Sequence, residues 1–353
     1  MAESDRVRIG FVGVGGMGQG AHLRNYHVIP ECEVVALAEV REATGKLVAE
    51  RYGIPKAYAN HEEMLANEKL DAIVASQPYT RHGILLPELV KAGKPIFIEK
   101  PLSSSLEWGE KVLQSVEGSD AWLMVGYHKR SDPASMFAKE EVDRLKASGE
   151  LGKLKYIRII MPAGDWVANG FLNLLNAGDA PNCALDVEPA PSDMDQKTYE
   201  EYSAFVNYYI HQVNLLRYFL GESYRVTFAD PSGVLLVGES DSGLCCTIEM
   251  SPYVTSIDWQ EQAFIAFERG YVKVNLPAPL ASNRPGTVEI LRDPGEGAVP
   301  VAEQPQMPWE HAMMRQAKNF IAAVKGERAP MTDAAEALED LRVARQYIDL
   351  MKA

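Results

Sequence analysis

Up to Tyr127 the chain alternates between two patterns. Near-continuous apolar runs (RVRIGFVGVG, EVVALAEV, DAIVASQP, PIFIEKP and AWLMVGYH) are separated by stretches with helical spacing (TGKLVAERYG, HEEMLANE, TRHGILLPELVKAG and SLEWGEKVLQSVE). Unbroken apolar runs suit strands buried on both faces. Their alternation with helices predicts βαβ units and a parallel, doubly wound sheet, the Rossmann arrangement. Gly53 and Gly93 are placed as helix stops, and Thr80 as an N-cap.

After Tyr127 the rhythm changes. PASMFAKEEVDRLKASGELG reads as a helix and KLKYIRIIMPA as a strand. Residues 163–200 carry acids and prolines and read as irregular. YEEYSAFVNYYIHQVNLLRYFLG predicts one long amphipathic helix. Six strand-like runs follow, RVTFAD, GVLLVGES, GLCCTIEMS, QAFIAFER, YVKVNLP and TVEILRD. Two helices close the chain, WEHAMMRQAKNFIAAVKG and DAAEALEDLRVARQYIDLMK. Grouped strands after a helix predict an α+β second domain with a largely antiparallel open sheet. The expected boundaries are 1–127 for a dinucleotide-binding domain and 128–353 for a substrate and oligomerisation domain, with the last helices free to pack back on the first.

Composition narrows the function classes. The chain has 353 residues, enough for two domains, with 46% hydrophobic and 24% charged residues. A net charge of −14 and a pI near 5.1 argue against nucleic acid, which needs clustered Lys and Arg. No run of about 18 apolar residues predicts a membrane span. The first residues lack the charged and apolar regions of a secretory signal. The four cysteines contain no C-x-x-C pair, and Cys245 and Cys246 should face opposite sides of a strand. These features predict a cytoplasmic protein with reduced thiols.

Chemistry enters at the first strand end. Gly13-Val14-Gly15-Gly16-Met17-Gly18 matches G-x-G-x-x-G after a strand and before a helix-compatible segment. Glycines there permit a tight turn and close approach of backbone N–H groups to a pyrophosphate. Glu39 ends the second strand, ~20 residues past the glycines, where a carboxylate bonds ribose hydroxyls and repels a 2′-phosphate. NAD is therefore expected, while Arg41 leaves NADP possible. Gln77, Pro78, His82 and Glu99 are further cofactor candidates; for His82, helix capping and packing are the competing reading. Lys100 lies at the carboxyl end of a strand, where open α/β sheets bind ligands. An ammonium there can donate to a substrate oxygen.

Gly13–Gly18 and A-G-K-P-I-F-I-E-K-P, with V-G-Y-H-K-R-S-D-P at 125–133, resemble the Gfo/Idh/MocA family of NAD(P)-dependent oxidoreductases. The resemblance covers essentially the whole chain. It implies a Rossmann domain, an α/β domain on an open sheet that often carries the oligomer contact, and activity on sugars, inositols or related polyols. It implies that Lys100 contacts both nicotinamide ribose and substrate, and that Lys129 makes a polar substrate contact. The family's Asp-x-x-x-His-x-x-Asp corresponds here to Asn207-Tyr208-Tyr209-Ile210-His211-Gln212-Val213-Asn214. The histidine is kept and both acids are asparagine, so a proton relay through His211 should be weaker or differently arranged.

Other residues carry two readings each. Asp165 and Trp166 could offer a hydroxyl acceptor and an aromatic face to a sugar, or anchor a loop. Asp186, Glu188, Asp193 and Asp195 lack a calcium-loop pattern and read as a solvated loop, so no metal is expected. Ser103–Ser105 read as capping the next helix. The combined expectation is an NAD-dependent dehydrogenase of a sugar, glycoside or cyclitol, forming a homo-oligomer. Two other readings are a redox-neutral enzyme that keeps NAD bound and oxidises a sugar transiently, and a non-catalytic NAD-binding regulator.

Overall fold

The computed structural model describes residues 6–352. The chain forms two compact units. The first holds Met1–Tyr127, Asn169–Asp195 and Gln316–Leu341; the second holds His128–Ala168, Gln196–Arg315 and Arg342–Ala353. The division is thus not a single cut near residue 127: two later segments join the first unit.

In the first unit β1 (Val7–Val12) leads through a π-helical stretch, Gly18–Leu23, into α1 (Arg24–Tyr26). There follow β2 (Cys32–Ala38), α2 (Glu42–Tyr52), β3 (Lys56–Tyr58), α3 (His61–Asn67), β4 (Ala72–Ala75), α4 (His82–Val90), β5 (Ile96–Glu99), α5 (Leu106–Val116) and β6 (Leu123–Gly126). The strands form one parallel sheet in the order β3-β2-β1-β4-β5-β6. The order reverses between β1 and β4, and the crevice at such a switch point is where α/β sheets take ligands. β4, β5 and β6 are buried throughout, as helix-covered parallel strands must be. Phe320 packs edge-on against Tyr26, Phe97 and Trp122.

Gly53 and Gly93 take φ of 62° at their helix ends, as expected of left-handed stops. Thr80 does not cap α4. It lies in a 3₁₀ turn, Tyr79–Arg81, and the capping position falls on Arg81 without a side-chain bond. β3 has only three residues, KAY, too few for an apolar run to mark it.

The second unit begins with α6 (Pro133–Ser148) and β7 (Leu154–Ala163). The predicted long helix is two helices, α7 (Gln196–Tyr208) and α8 (Ile210–Leu220), broken at Tyr209. The Tyr209 ring lies 5.0 Å from Tyr208 and 6.0 Å from Phe205, and its hydroxyl meets Ser251 Oγ. Strands β8 (Tyr224–Ala229), β9 (Leu235–Ser240), β10 (Cys245–Val254), β11 (Glu261–Phe267), β12 (Gly270–Leu276), β13 (Thr287–Arg292) and β14 (Val301–Glu303) complete an eight-stranded sheet. Its order is β14-β13-β12-β11-β7-β10-β9-β8, antiparallel except where β7 pairs with β10. Burial alternates along β7, with Ile157 and Ile159 inside and Tyr156 and Arg158 half-exposed, so one face is core and the other open. Cys245 is exposed and Cys246 buried, the alternation expected of a strand. The chain closes with α9 (Ala312–Val324) and α10 (Ala334–Lys352), whose Tyr347 stacks on Phe205 at 4.3 Å.

Candidate cofactor site and catalytic residues

The glycine turn is built for close approach. Gly13 has φ of +88°, and a Cβ there would fall 2.3 Å from the Gln77 side-chain nitrogen and 2.4 Å from the Ser76 carbonyl oxygen. At Gly18 a Cβ would fall 2.5 Å from the Gly13 oxygen. Only glycine permits this turn. It sits at the carboxyl end of β1, beside the switch point, where a pyrophosphate can reach backbone N–H groups. Gly15, Gly16 and Met17 complete the turn and lead directly into the Gly18–Leu23 helical stretch.

Glu39 follows β2 and is 5% exposed. One carboxylate oxygen accepts the Val14 N–H at 2.9 Å, tying it to the glycine turn. The Arg41 guanidinium grips both oxygens at 2.9 and 3.0 Å, and the Arg41 backbone N–H adds a bond at 3.1 Å. Hydrogen bonding to Glu39 holds the Arg41 pKa above its usual value. Arg41 is therefore an ion-pair partner of the Glu39 carboxylate. A cavity of about 230 Å³ opens beside Glu39, lined also by Asn60, His61, Gln77, Arg81 and Leu85. A glycine cradle, a carboxylate and an adjoining cavity fit a dinucleotide.

Gln77 lies at this cavity with its amide against Gly13, and its side-chain oxygen accepts from Arg81 at 3.2 Å. Pro78 is exposed just beyond. His82 is fully buried, with Nδ1 2.8 Å from the Pro101 carbonyl and Nε2 3.2 Å from the Gln77 carbonyl. Burial lowers its pKa, against the pull of those carbonyls. His82 thus ties the end of β4 to the turn that carries Lys100, and its ring is occupied by backbone.

Glu99 turns inward. Its Oε1 lies 2.5 Å from His22 Nε2, and Oε2 accepts the Lys100 backbone N–H at 3.1 Å. Burial opposes its charge, but the bond and charge of His22, with Lys100, more than offset this and hold the carboxyl below its usual range. Glu99 anchors the strand end, while Lys100 is only partly buried at the start of the turn. His22 carried no sequence signal, because its partner is 77 residues away.

The second unit holds the other candidates. The His211 ring meets the His128 ring edge-on at 4.5 Å. Asn207 is exposed on α7, and His211 lies in the first turn of α8, just past Tyr209 where the two helices meet. Asn214 is buried. Lys129 is 3% exposed, and its ammonium is paired with Glu261 and lies 5.3 Å from the centre of the Trp259 ring. Glu261 also accepts from Gln212 at 2.7 Å and from Trp259 at 3.3 Å. The Asp165 carboxylate accepts the N–H groups of Val167 and Ala168 at 2.9 and 3.1 Å, holding a turn that includes half-buried Trp166.

Glu188 departs from the solvated loop expected of its neighbours. It is buried, and its carboxylate accepts from Gly83 N–H, from Ser104 N–H at 2.7 Å and from Ser104 Oγ. Two turns of the sheet's carboxyl edge leave these N–H groups pointing at one place, and burial raises the carboxyl's pKa. Of the three serines only Ser105 caps α5, by accepting from Trp108 N–H at 3.4 Å. Among the described residues one group, His61, Glu62 and Glu88, brings three donor atoms within 4.8 Å of one another at the cavity rim, with the two acids exposed and His61 half-buried.

The first unit is therefore an α/β fold whose glycine turn, buried carboxylate and adjoining cavity suit a dinucleotide. Residues 7–127 match the model of the oxidoreductase family GFO_IDH_MocA, NAD-binding Rossmann fold. It is 28% identical over 235 residues to a myo-inositol 2-dehydrogenase of Thermotoga maritima, across 66% of this chain and 60% of that enzyme. The chain thus matches less than two thirds of that relative's length. It is 26% identical over 352 residues to an inositol 2-dehydrogenase of Rhizobium meliloti, across 96% of each. The fold is also that of an NAD-binding oxidoreductase from Klebsiella pneumoniae, with a TM-score of 0.74 at 16% identity over 98% of this chain and 97% of that one. Among the described residues no helix is long and apolar enough to cross a membrane.

Proposed function

We propose that this protein is an NAD-dependent dehydrogenase that oxidises a secondary alcohol of a cyclitol or sugar. The observation that carries the reading is Glu39, a buried carboxylate bonded to the glycine turn and facing the cavity beside it. The relatives named as inositol dehydrogenases support the substrate class. NAD, when bound, supplies the hydride acceptor. Backbone N–H groups of the turn Gly13–Gly18 hold the pyrophosphate, and Glu39 accepts from ribose hydroxyls after yielding part of its bond to Arg41. Gln77 and Pro78 line the way from that turn. On the first unit, Lys100 donates a hydrogen bond to the alcohol oxygen and stabilises the negative charge that grows there. On the second unit, His211 takes the hydroxyl proton. Asn207, exposed on α7, brings no negative charge to the site where the resemblance implies an aspartate.

Lys129 acts through Glu261, by keeping β11 and the turn after β6 in place, rather than as a free cation. Asp165 shapes the turn that presents Trp166. The open sheet face offers a shallow concavity of about 400 Å³ lined by Tyr156, Arg158, Gln262, Phe264, Tyr271 and Lys273, which a second copy of the chain would cover. Light scattering on a sizing column tests that assembly. Activity is tested by following NADH formation with a panel of inositols, aldoses and glycosides. Formation of NADH with at least one supports the proposal. Tight NADH binding without net NADH formation from any of them would sink it and favour the redox-neutral reading.

A further inference from the structure

We propose that residues 169–195 form a clasp over the cofactor site, so that NAD leaves only when this segment detaches. The inference rests on the cofactor reading above. The segment joins β7 to α7 in sequence, yet belongs to the first unit.

It is fastened at separate points along the dinucleotide-binding edge. The Gln19 amide donates to Val14 O at 2.7 Å and to Leu175 O at 3.0 Å, and its oxygen accepts Leu175 N–H at 2.9 Å. One side chain thus holds both the glycine turn and the segment. Phe171 lies across the helical start of the motif, where a Cβ at Gly20 would come within 2.8 Å of its ring. The Asp179 carboxylate accepts from Ala43 N–H at 2.8 Å, Thr44 N–H at 3.2 Å and Thr44 Oγ1 at 2.6 Å, at the start of the helix that follows Glu39. The Asn182 N–H donates to Val40 O at 2.9 Å. Cys183–Asp186 form a wall of the same cavity that Glu39 borders. Arg81 donates to Asp186 O at 3.0 Å and also holds Gln77, the residue against Gly13. Buried Glu188 makes the last fastening.

The character of these contacts argues for a releasable element. Most of 172–187 is exposed, with Leu172 at 68% and Val187 at 59%, so little apolar burial holds the segment down. Segments with few buried apolar contacts open at low cost relative to the core. The fastenings sit on cofactor-site residues, so detachment at any of them uncovers the glycine turn or the cavity. A clasp of this kind slows entry and exit together.

The test measures NADH release and association by stopped-flow fluorescence in the full chain, with Asp179→Ala and Glu188→Gln. Asp179 fastens the segment to the start of α2, and Gln at 188 keeps an acceptor, so the two variants probe different fastenings. Each is expected to release NADH ~10-fold or more faster, the factor given by losing about 1.4 kcal/mol. Association should also quicken, so Kd should change less than the release rate. Release within about twofold of the unmodified protein in both variants, with melting profiles that show them folded, overturns the clasp. If the unmodified protein binds neither NADH nor NADPH, the cofactor reading itself fails, and the clasp falls with it.

Discussion

His22 Nε2 lies 2.5 Å from Glu99 Oε1, inside the first unit and one residue from Lys100. Side-chain exposure is 1% and 9%, so neither group can turn to water for a replacement partner. The pair decides the direction of the β5 end: Glu99 goes in, and the next side chain starts the turn. Removing one partner of such a buried pair costs about 3–5 kcal/mol, because the other charge is stranded. His22→Ala should therefore lower the melting temperature markedly, and His22→Gln, which keeps a donor, should lower it less. The Glu99 carboxyl is held below its usual range, so its contribution is present above the unfolded carboxyl value and fades as pH falls through the lower folded one. The melting difference between protein and variant should shrink on acidification in that window. A His22→Ala protein that melts with the unmodified one at neutral pH would show that the pair is not stabilising.

On the proposed function, Glu39 and Arg41 together set the cofactor preference. Because Arg41 is locked on the carboxylate, it is not available to a 2′-phosphate. Glu39→Ser removes the repulsive charge and frees the guanidinium at once. NADPH affinity should rise relative to NADH by ~10-fold, about 1.4 kcal/mol. Titration of both reduced cofactors checks this. Tighter NADPH binding by the unmodified protein contradicts the assignment.

Lys100→Ala and His211→Ala should each reduce kcat ~10²-fold or more, the scale of lost charge stabilisation or base catalysis. NADH affinity should hold for His211→Ala, whose residue lies in the second unit. Near-normal turnover in that variant would place the proton acceptor elsewhere. Asn207→Asp should move the acid limb of the rate profile to higher pH, because a carboxylate favours the imidazolium that cannot act as base. Exposure of position 207 to water limits the movement.

Lys129 and Glu261 are an ion pair with almost no access to solvent. Glu261→Gln should destabilise by about 3–5 kcal/mol, while Lys129→Met with Glu261→Leu should recover much of it, since no charge is then left unpaired. Denaturant midpoints of the three proteins test this. Equal losses in the single and double variants would mean that packing, not charge, dominates.

Asp132 caps α6 by accepting Ala134 N–H at 2.8 Å, and it also accepts Gly286 N–H at 3.0 Å. Burial pushes its carboxyl up to about 6. The folded state therefore holds a proton that the unfolded chain releases between the usual carboxylate value and about 6, and stability falls as pH rises through that window. Asp132→Asn keeps the acceptor without the charge. It should be more stable than the unmodified protein at neutral pH, by on the order of 3 kcal/mol, and match it in acid. Equal stability at both ends of the range would remove the titration from the account.

The sequence by itself determined the parallel sheet, the glycine turn, Glu39 and the position of Lys100. Each is local: a run of apolar residues, a spacing, or a residue at a strand end. It also determined the alternation that leaves one face of the second sheet open, since a strand's side chains have a period of two. Tertiary structure decided the rest. Three-residue β3 and β14 exist because neighbouring strands pair with them, not because KAY or VAE carries a pattern. The apolar spacing of 199–221 runs straight through Tyr209, where the structure divides the run into two helices and the tyrosine hydroxyl meets Ser251 on a distant strand. His22 with Glu99, and Lys129 with Glu261, are separated by 77 and 132 residues, beyond any local periodicity. Segment 169–195 looked like a solvated loop because its composition is that of one. Only folding places Asp179 and Glu188 against backbone N–H groups of other turns, whose need for acceptors no pattern within 169–195 records.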